Sequence, residues 1–196
     1  MIVPILAYGN PVLKKKAKEV SKNFEGLNDV IENMWATMYN ANGVGLAAPQ
    51  IGFSKRLFII DTSPFADDES MNDVDLNRIK SFKKVFINPT LTDETGNEWD
   101  FNEGCLSIPD VRADIKRSDT ILIKYFDQEF NQHQDSYNGI IARVIQHEYD
   151  HIEGILFTDK LSPLKRKLLK GKLLNISKGK IETDYKMKFS GPIKNR

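Results

Sequence analysis

The chain has 196 residues, is 40% hydrophobic and 28% charged, and carries 28 Lys+Arg against 27 Asp+Glu. That length suits one domain, and the composition excludes disordered, collagen-like and coiled-coil chains. No apolar run approaches the ~20 residues of a membrane-spanning helix. The opening MIVPILAYGN contains Pro4 and lacks a basic stretch before its apolar residues, so neither a membrane span nor a secretory leader is expected. A single cysteine, Cys105, makes no internal disulfide and points to a reducing compartment, the cytoplasm. The formal net charge of +1, taken alone, argues against a nucleic-acid partner.

In chain order, the first predicted helix covers residues 28–40, where Leu27, Val30, Ile31, Met34, Trp35 and Met38 recur at the spacing of one buried face. Gly43 is its expected stop. Residues 43–52 are small, apolar and punctuated by glycine; without a closing Gly-Lys-Ser/Thr they are no phosphate loop, and they read as a close-packed buried turn. Short β-rich runs follow at 57–60, 85–88 and 120–126, with weaker ones at 99–101 and 129–134. Between the first two, residues 63–80 carry Asp67, Asp68, Glu69, Asp73 and Asp75 and read as a solvated insertion with one helical turn. A second helix is expected over 139–153, capped by Gly154, and a basic amphipathic one over 164–170. Strands followed by helices without βαβ alternation indicate an α+β fold. Its antiparallel or mixed sheets should pack around the 139–153 helix, with a C-terminal helix beyond.

Inside that central helix stands His147-Glu148-Tyr149-Asp150-His151. At 3.6 residues per turn the two histidines share a face and can grip one metal ion. Glu148, rotated by about 100°, can reach an attacking water without being a ligand. The alternative is a pair of hydrogen-bonded core histidines, since Ile140, Ile141, Val144, Ile145 and Ile152 make the same stripe apolar. A hydrolytic site wants three protein ligands. Phe157 stands where a third histidine would follow Gly154 in the metzincin pattern, and His133 lies on a predicted edge strand, where it reads as solvent-facing. Cys105 remains, as a thiolate ligand or as a small buried hydrophobe. A Cys-His nucleophilic dyad is a further possibility that leaves Glu148 and one histidine without a role.

Gly-Val-Gly-Leu-Ala-Ala-Pro-Gln (43–50), Glu-Gly-Cys-Leu-Ser-Ile-Pro (103–109) and Gln-His-Glu-Tyr-Asp-His (146–151) resemble the three motifs of the peptide deformylases, in family order. The opening segment from Ile5 to Val20 and Phe86-Ile87-Asn88-Pro89 resemble flanking family segments, so the likeness extends from Ile5 to about Lys170. It implies a catalytic domain over residues 1–170 and a basic tail over 171–196. It also implies a hydrolase that removes the N-formyl group from the initiator methionine of nascent polypeptides. Cys105, His147 and His151 would hold one divalent metal ion, ferrous iron in the cell, with zinc, nickel or cobalt as substitutes. Glu148 would be the general base, and the Gln50 side chain and the Leu106 backbone N–H would face the developing oxyanion. The resemblance also replaces the packing-turn reading of 43–52: Gly43 and Gly45 would let the backbone approach substrate while Gln50 points inward.

Substrate would be met by Val44, Gly45, Gly104, Arg112, Ile140 and Val144, the valines and Ile140 walling a methionine pocket. Arg143 departs from the small apolar residue common in the family; its stem is expected to line the pocket mouth with its head in water. Two rival readings carry over: a peptidase of the same site chemistry, and a silent ribosome-associated binding protein that kept the scaffold.

Resolved along the chain, the charge is uneven. Residues 165–196 hold 11 Lys+Arg against two acids (+9), and the other 164 residues hold 17 against 25 (−8). For a deformylase-like chain, a basic C-terminal helix and tail imply docking near the ribosomal exit tunnel, by a monomer.

Overall fold

Alternating apolar residues and β-branched runs make residues 83–126 one long antiparallel hairpin. The computed structural model describes residues 1–65 and 73–190, with backbone alone for 73–75. The hairpin joins β4 (Lys83–Cys105) to β5 (Ile108–Phe126) through the two-residue turn Leu106-Ser107. The predicted runs at 85–88 and 99–101 are therefore one strand. Bulges near Ile87/Thr90, Leu91/Asp93 and Thr95/Glu98 interrupt its alternation, which is why local pattern breaks it into pieces. β2 (Gly45–Ala47), β3 (Leu57–Asp61) and β6 (Gln132–Asn138) complete a five-stranded antiparallel sheet in the order β2-β3-β4-β5-β6. The expected run at 129–134 begins later, because Asp127 to Asn131 form the preceding turn. His133 lies on the edge strand β6, stacked on Tyr125 and bonded to Asp127, as the solvent-facing reading expects.

Two helices frame this sheet. α1 (Leu27–Asn40) buries Leu27, Ile31, Met34 and Met38, in line with its periodicity. The segment between β3 and β4 contains α2 (Asp73–Ser81), two and a half turns rather than one, anchored by buried Ile79. Asp67, Asp68 and Glu69 lie outside the described residues.

α3 (Gly139–Glu153) packs Ile141, Val144, Ile145 and Ile152 into one core with Phe58, Phe86, Ile121 and Ile123 of the sheet. Each such aliphatic side chain removed from water contributes roughly 1.5–3 kcal/mol. Gly154 ends the helix at φ 77°, a left-handed cap; a Cβ there would also sit 2.9 Å from the Lys14 and Lys15 backbone carbons.

α4 (Pro163–Ser177) starts at an N-cap in which the Ser162 side chain accepts from the Lys165 N–H. The expected 164–170 helix thus runs to Ser177, and the boundary expected after residue 170 falls inside it. Leu173 and Ile176 are buried against Leu13, Val111 and Phe157. Beyond it, β7 (Met187–Lys188) pairs in parallel with β1 (Ile5–Leu6), so the two terminal segments lie together. Among the described residues, no helix is long and apolar enough to cross a membrane.

Candidate metal centre

One turn of α3 separates His147 from His151, and the end of β4 brings Cys105 opposite them. The ligating atoms of the three side chains all lie within 4.8 Å of one another, with Cys105 Sγ 3.2 Å from His151 Nε2. His147 Nδ1 is 2.9 Å from Glu103 Oε2. An ionised carboxylate only accepts, so Nδ1 carries the proton and Nε2 is free to ligate.

Glu103 is held ionised by its neighbours. Burial alone would raise its carboxyl, but hydrogen bonds from Arg117 and His147 outweigh this and keep it well below the usual carboxylate range. Arg117 donates Nε and one terminal nitrogen to Glu103 at 2.7 and 2.9 Å, and its other nitrogen to Asp150 at 2.6 Å. This network is what permits three charges in the protein interior.

Arg143 joins that network and corrects an expectation. Its side chain is 1% exposed, so its head is not in water. One nitrogen donates to Glu103 Oε1 at 3.1 Å and to the Ile115 carbonyl at 2.8 Å, and the other to the Trp99 carbonyl at 2.6 Å. The guanidinium lies 4.4 Å from the Trp99 ring centroid. Three acceptors, one of them ionised, and an aromatic face replace its hydration shell.

Glu148 is buried beside the cluster, and burial pushes its carboxyl up to about 7. Its Oε2 has no hydrogen-bond partner among the described residues. A Cβ on Gly45 would sit 2.5 Å from Glu148 Oε1, so the glycine makes room for this carboxylate rather than only for substrate. Gly43 likewise faces Leu106 and Met38, where a Cβ would lie 2.8 and 3.1 Å away. The Gln50 carbonyl accepts from the Ala47 N–H at 2.8 Å, which turns its amino group toward Ser107 Oγ (3.3 Å) and Cys105 Sγ (3.6 Å).

All of this opens on a cleft of about 540 Å³, lined by Val44, Gly45, Gln50, Leu106, Val144 and Glu148 among others. Arg112 and Gly104 line it too; Arg112 is tied to Asn102 by bonds of 2.8 and 2.6 Å. Ile140, expected in the pocket wall, is buried in the sheet-facing core and does not line the cleft. Phe65, Phe101 and Tyr185 line it instead.

The donor set fits a metal ion. One sulfur and two imidazole nitrogens converge from the end of β4 and one face of α3, and Glu103 behind His147 leaves its Nε2 for an ion.

The sequence profile described as polypeptide deformylase matches residues 2–167. The chain belongs to that family. It is 59% identical to a peptide deformylase of Christiangramia forsetii over the full length of both chains. It is 54% identical to one of Flavobacterium psychrophilum, over 96% of this chain and 97% of that one. Among solved structures, a peptide deformylase of Legionella pneumophila superposes with a TM-score of 0.75 at 38% identity, covering 89% of this chain and 95% of that one.

Sequence reasoning missed the supports of this deformylase-family site. Glu103 and Asp150 sit inside the quoted motifs, and two acids beside candidate metal ligands in apolar surroundings are a signal that buried arginines must answer them. Phe65 and Tyr185 arrive from remote segments and carry no local signal.

Proposed function

We propose that Cys105, His147 and His151 hold one divalent metal ion, and that Glu148 is the base with which this peptide deformylase hydrolyses its substrate. The enzyme removes the N-formyl group from the N-terminal methionine of newly made polypeptides and releases formate. The observation that carries the assignment is the clustering of Cys105, His147 and His151 beside a cleft that Cys105, His147, the buried Glu148 and Gln50 line.

The ion, when bound, supplies Lewis-acid chemistry. Glu148 takes the proton of the attacking water and delivers it to the departing amine, and its raised pKa suits it to hold that proton between the two events. The Gln50 amino group and the Leu106 N–H donate to the formyl oxygen as it gains negative charge; one such donor is typically worth about 10²–10³ in rate. Val44 and Val144 give the methionine side chain an apolar wall. β2 is the edge strand of its sheet, so Gly45 can offer backbone hydrogen bonds to an extended peptide, with Gly104 and Arg112 also lining the cleft. Ferrous iron is the ion proposed for the cell, with zinc, nickel or cobalt as substitutes, since sulfur and imidazole donors suit each of them.

The same reading makes the enzyme a cytoplasmic monomer that works at the ribosome. Leu164 and Leu168 are 69% and 76% exposed among the lysines and Arg166 of α4, an amphipathic surface fit for a phosphate-coated particle. Release of formate from a formyl-Met peptide, with no cleavage of its unformylated counterpart, separates this function from a general peptidase. Co-sedimentation with ribosomes should weaken steeply with salt and be lost in Lys165→Glu/Lys167→Glu; salt-independent binding would contradict the docking.

A further inference from the structure

The β4–β5 turn carries the Leu106 N–H, yet its own geometry does not hold it. Two-residue hairpin turns favour left-handed backbone at one or both central residues, which matches the strand twist. Neither Leu106 nor Ser107 has a positive φ; the left-handed residue of this stretch is Asp110, at φ 59°, inside the shift from the Cys105↔Ile108 pair to Gly104↔Arg112. The tip is therefore an irregular loop whose carbonyls find partners outside the hairpin.

Those partners come from the two terminal segments. The Tyr8 N–H donates to the Ser107 carbonyl at 2.8 Å. The Tyr185 hydroxyl donates to the Leu106 carbonyl, also at 2.8 Å, and Lys172 Nζ to the Asp110 carbonyl at 2.9 Å. Tyr185 is itself fixed. β7 begins two residues later and pairs with β1, and the Lys186 carbonyl accepts the Ile5 N–H at 2.9 Å. The Thr183 hydroxyl donates to the Tyr185 carbonyl at 2.9 Å, and Tyr185 and Leu106 both pack against the core around α1 and β3.

We propose that Tyr185 is a positioning residue for the deformylation reaction: its hydroxyl, carried in by the segment after α4, holds the Leu106 carbonyl and so limits the tilt of residue 106, whose N–H, in the preceding Cys105-Leu106 peptide, faces the oxyanion. This rests on the role given to Leu106 above. It also assigns the segment after α4 a part in catalysis distinct from any docking by the exposed face of that helix. Without the hydroxyl, the Leu106 carbonyl is released and residue 106 can tilt at the hairpin tip, so that its N–H, one peptide earlier, spends less time aligned. The ligands keep their places, because His147 and His151 belong to α3 and Cys105 still pairs with Ile108.

The test is Tyr185→Phe in the full-length, metal-loaded enzyme, which removes one oxygen and keeps the ring. A donor that helps only as charge develops acts on turnover rather than on substrate binding. The expected result is a three- to tenfold fall in kcat for a formyl-Met peptide, with KM within twofold and bound metal unchanged; Tyr185→Leu should fall at least as far. An unchanged kcat, an effect confined to KM, or loss of metal would each overturn the proposal. Glu148→Ala, assayed alongside, separates the two levels. Sustained turnover there would remove the underlying reading, whereas an inactive Glu148→Ala beside a fully active Tyr185→Phe would remove only the role of Tyr185.

Discussion

α3 and the β4–β5 hairpin tip each supply side chains of the candidate metal cluster, but they do so in opposite ways. On α3 the placement is local: a four-residue spacing sets His147 above His151, the intervening Glu148 turns toward Gly45, and Gly154 closes the helix. At the tip little is local. Cys105 ends a strand, and the residues after it depend on Tyr8, Gln50, Lys172 and Tyr185 from four other segments. A site assembled from one rigid helix and one externally braced hairpin should fail differently according to which half is disturbed.

The largest effect is expected where the two halves meet, at Glu103. Glu103→Ala strips His147 of its orienting carboxylate and leaves Arg117 and Arg143 buried without their shared anion. Breaking a buried ion pair from one side costs about 3–5 kcal/mol, and losing a carboxylate behind a ligating histidine weakens metal binding about 10–100-fold. Chemical denaturation and metal titration read the two effects separately; retention of both values would show that the halves are not coupled through Glu103.

Arg143→Ala is the next step down. It removes the bonds to the Trp99 and Ile115 carbonyls but leaves Glu103 with Arg117 and His147. A loss of about 2–3 kcal/mol in unfolding free energy is expected from bonds to a charged group. A loss below about 0.5 kcal/mol, the range of ordinary surface substitutions, would return Arg143 to the wet rim that its sequence position suggests.

The smallest effect is expected outside the cleft, at Asp135 on β6, and serves as the control. Burial would raise its carboxyl, but the hydroxyls of Tyr125 and Tyr137 and the Lys84 ammonium outweigh this and lower it. A lowered folded pKa means the contribution is present above the ordinary carboxylate pKa of about 4 and is lost as pH falls through the folded value. Asp135→Asn should flatten the fall in stability below about pH 4 without touching kcat at neutral pH. An altered kcat would show that β6 communicates with the site.

What the sequence made legible follows the same division. Periodicity located α1 and α3 to within a residue of their ends, and the His147/His151 pair with Glu148 was readable because helical spacing is a local rule. β4 was read as fragments because its bulges break the alternation. α2 was shortened because its charged face hides the anchor Ile79. Arg143 was placed in water because an arginine on an apolar stripe ordinarily snorkels, and the acid that keeps it inside is 40 residues away in sequence. Tyr185 was invisible for the same reason: its contact with Leu106 spans 79 residues.

The proposed division of labour, in which Glu148 moves the proton and three other side chains hold the ion without it, can be read in one experiment. Glu148→Gln in anaerobically prepared enzyme, assayed for formate release from a formyl-Met peptide and for bound metal in the same sample, tests it directly. Turnover should fall by about 10²–10⁴, the usual contribution of a general acid–base group, while one metal ion per chain is retained. Undiminished formate release with the metal in place would contradict it.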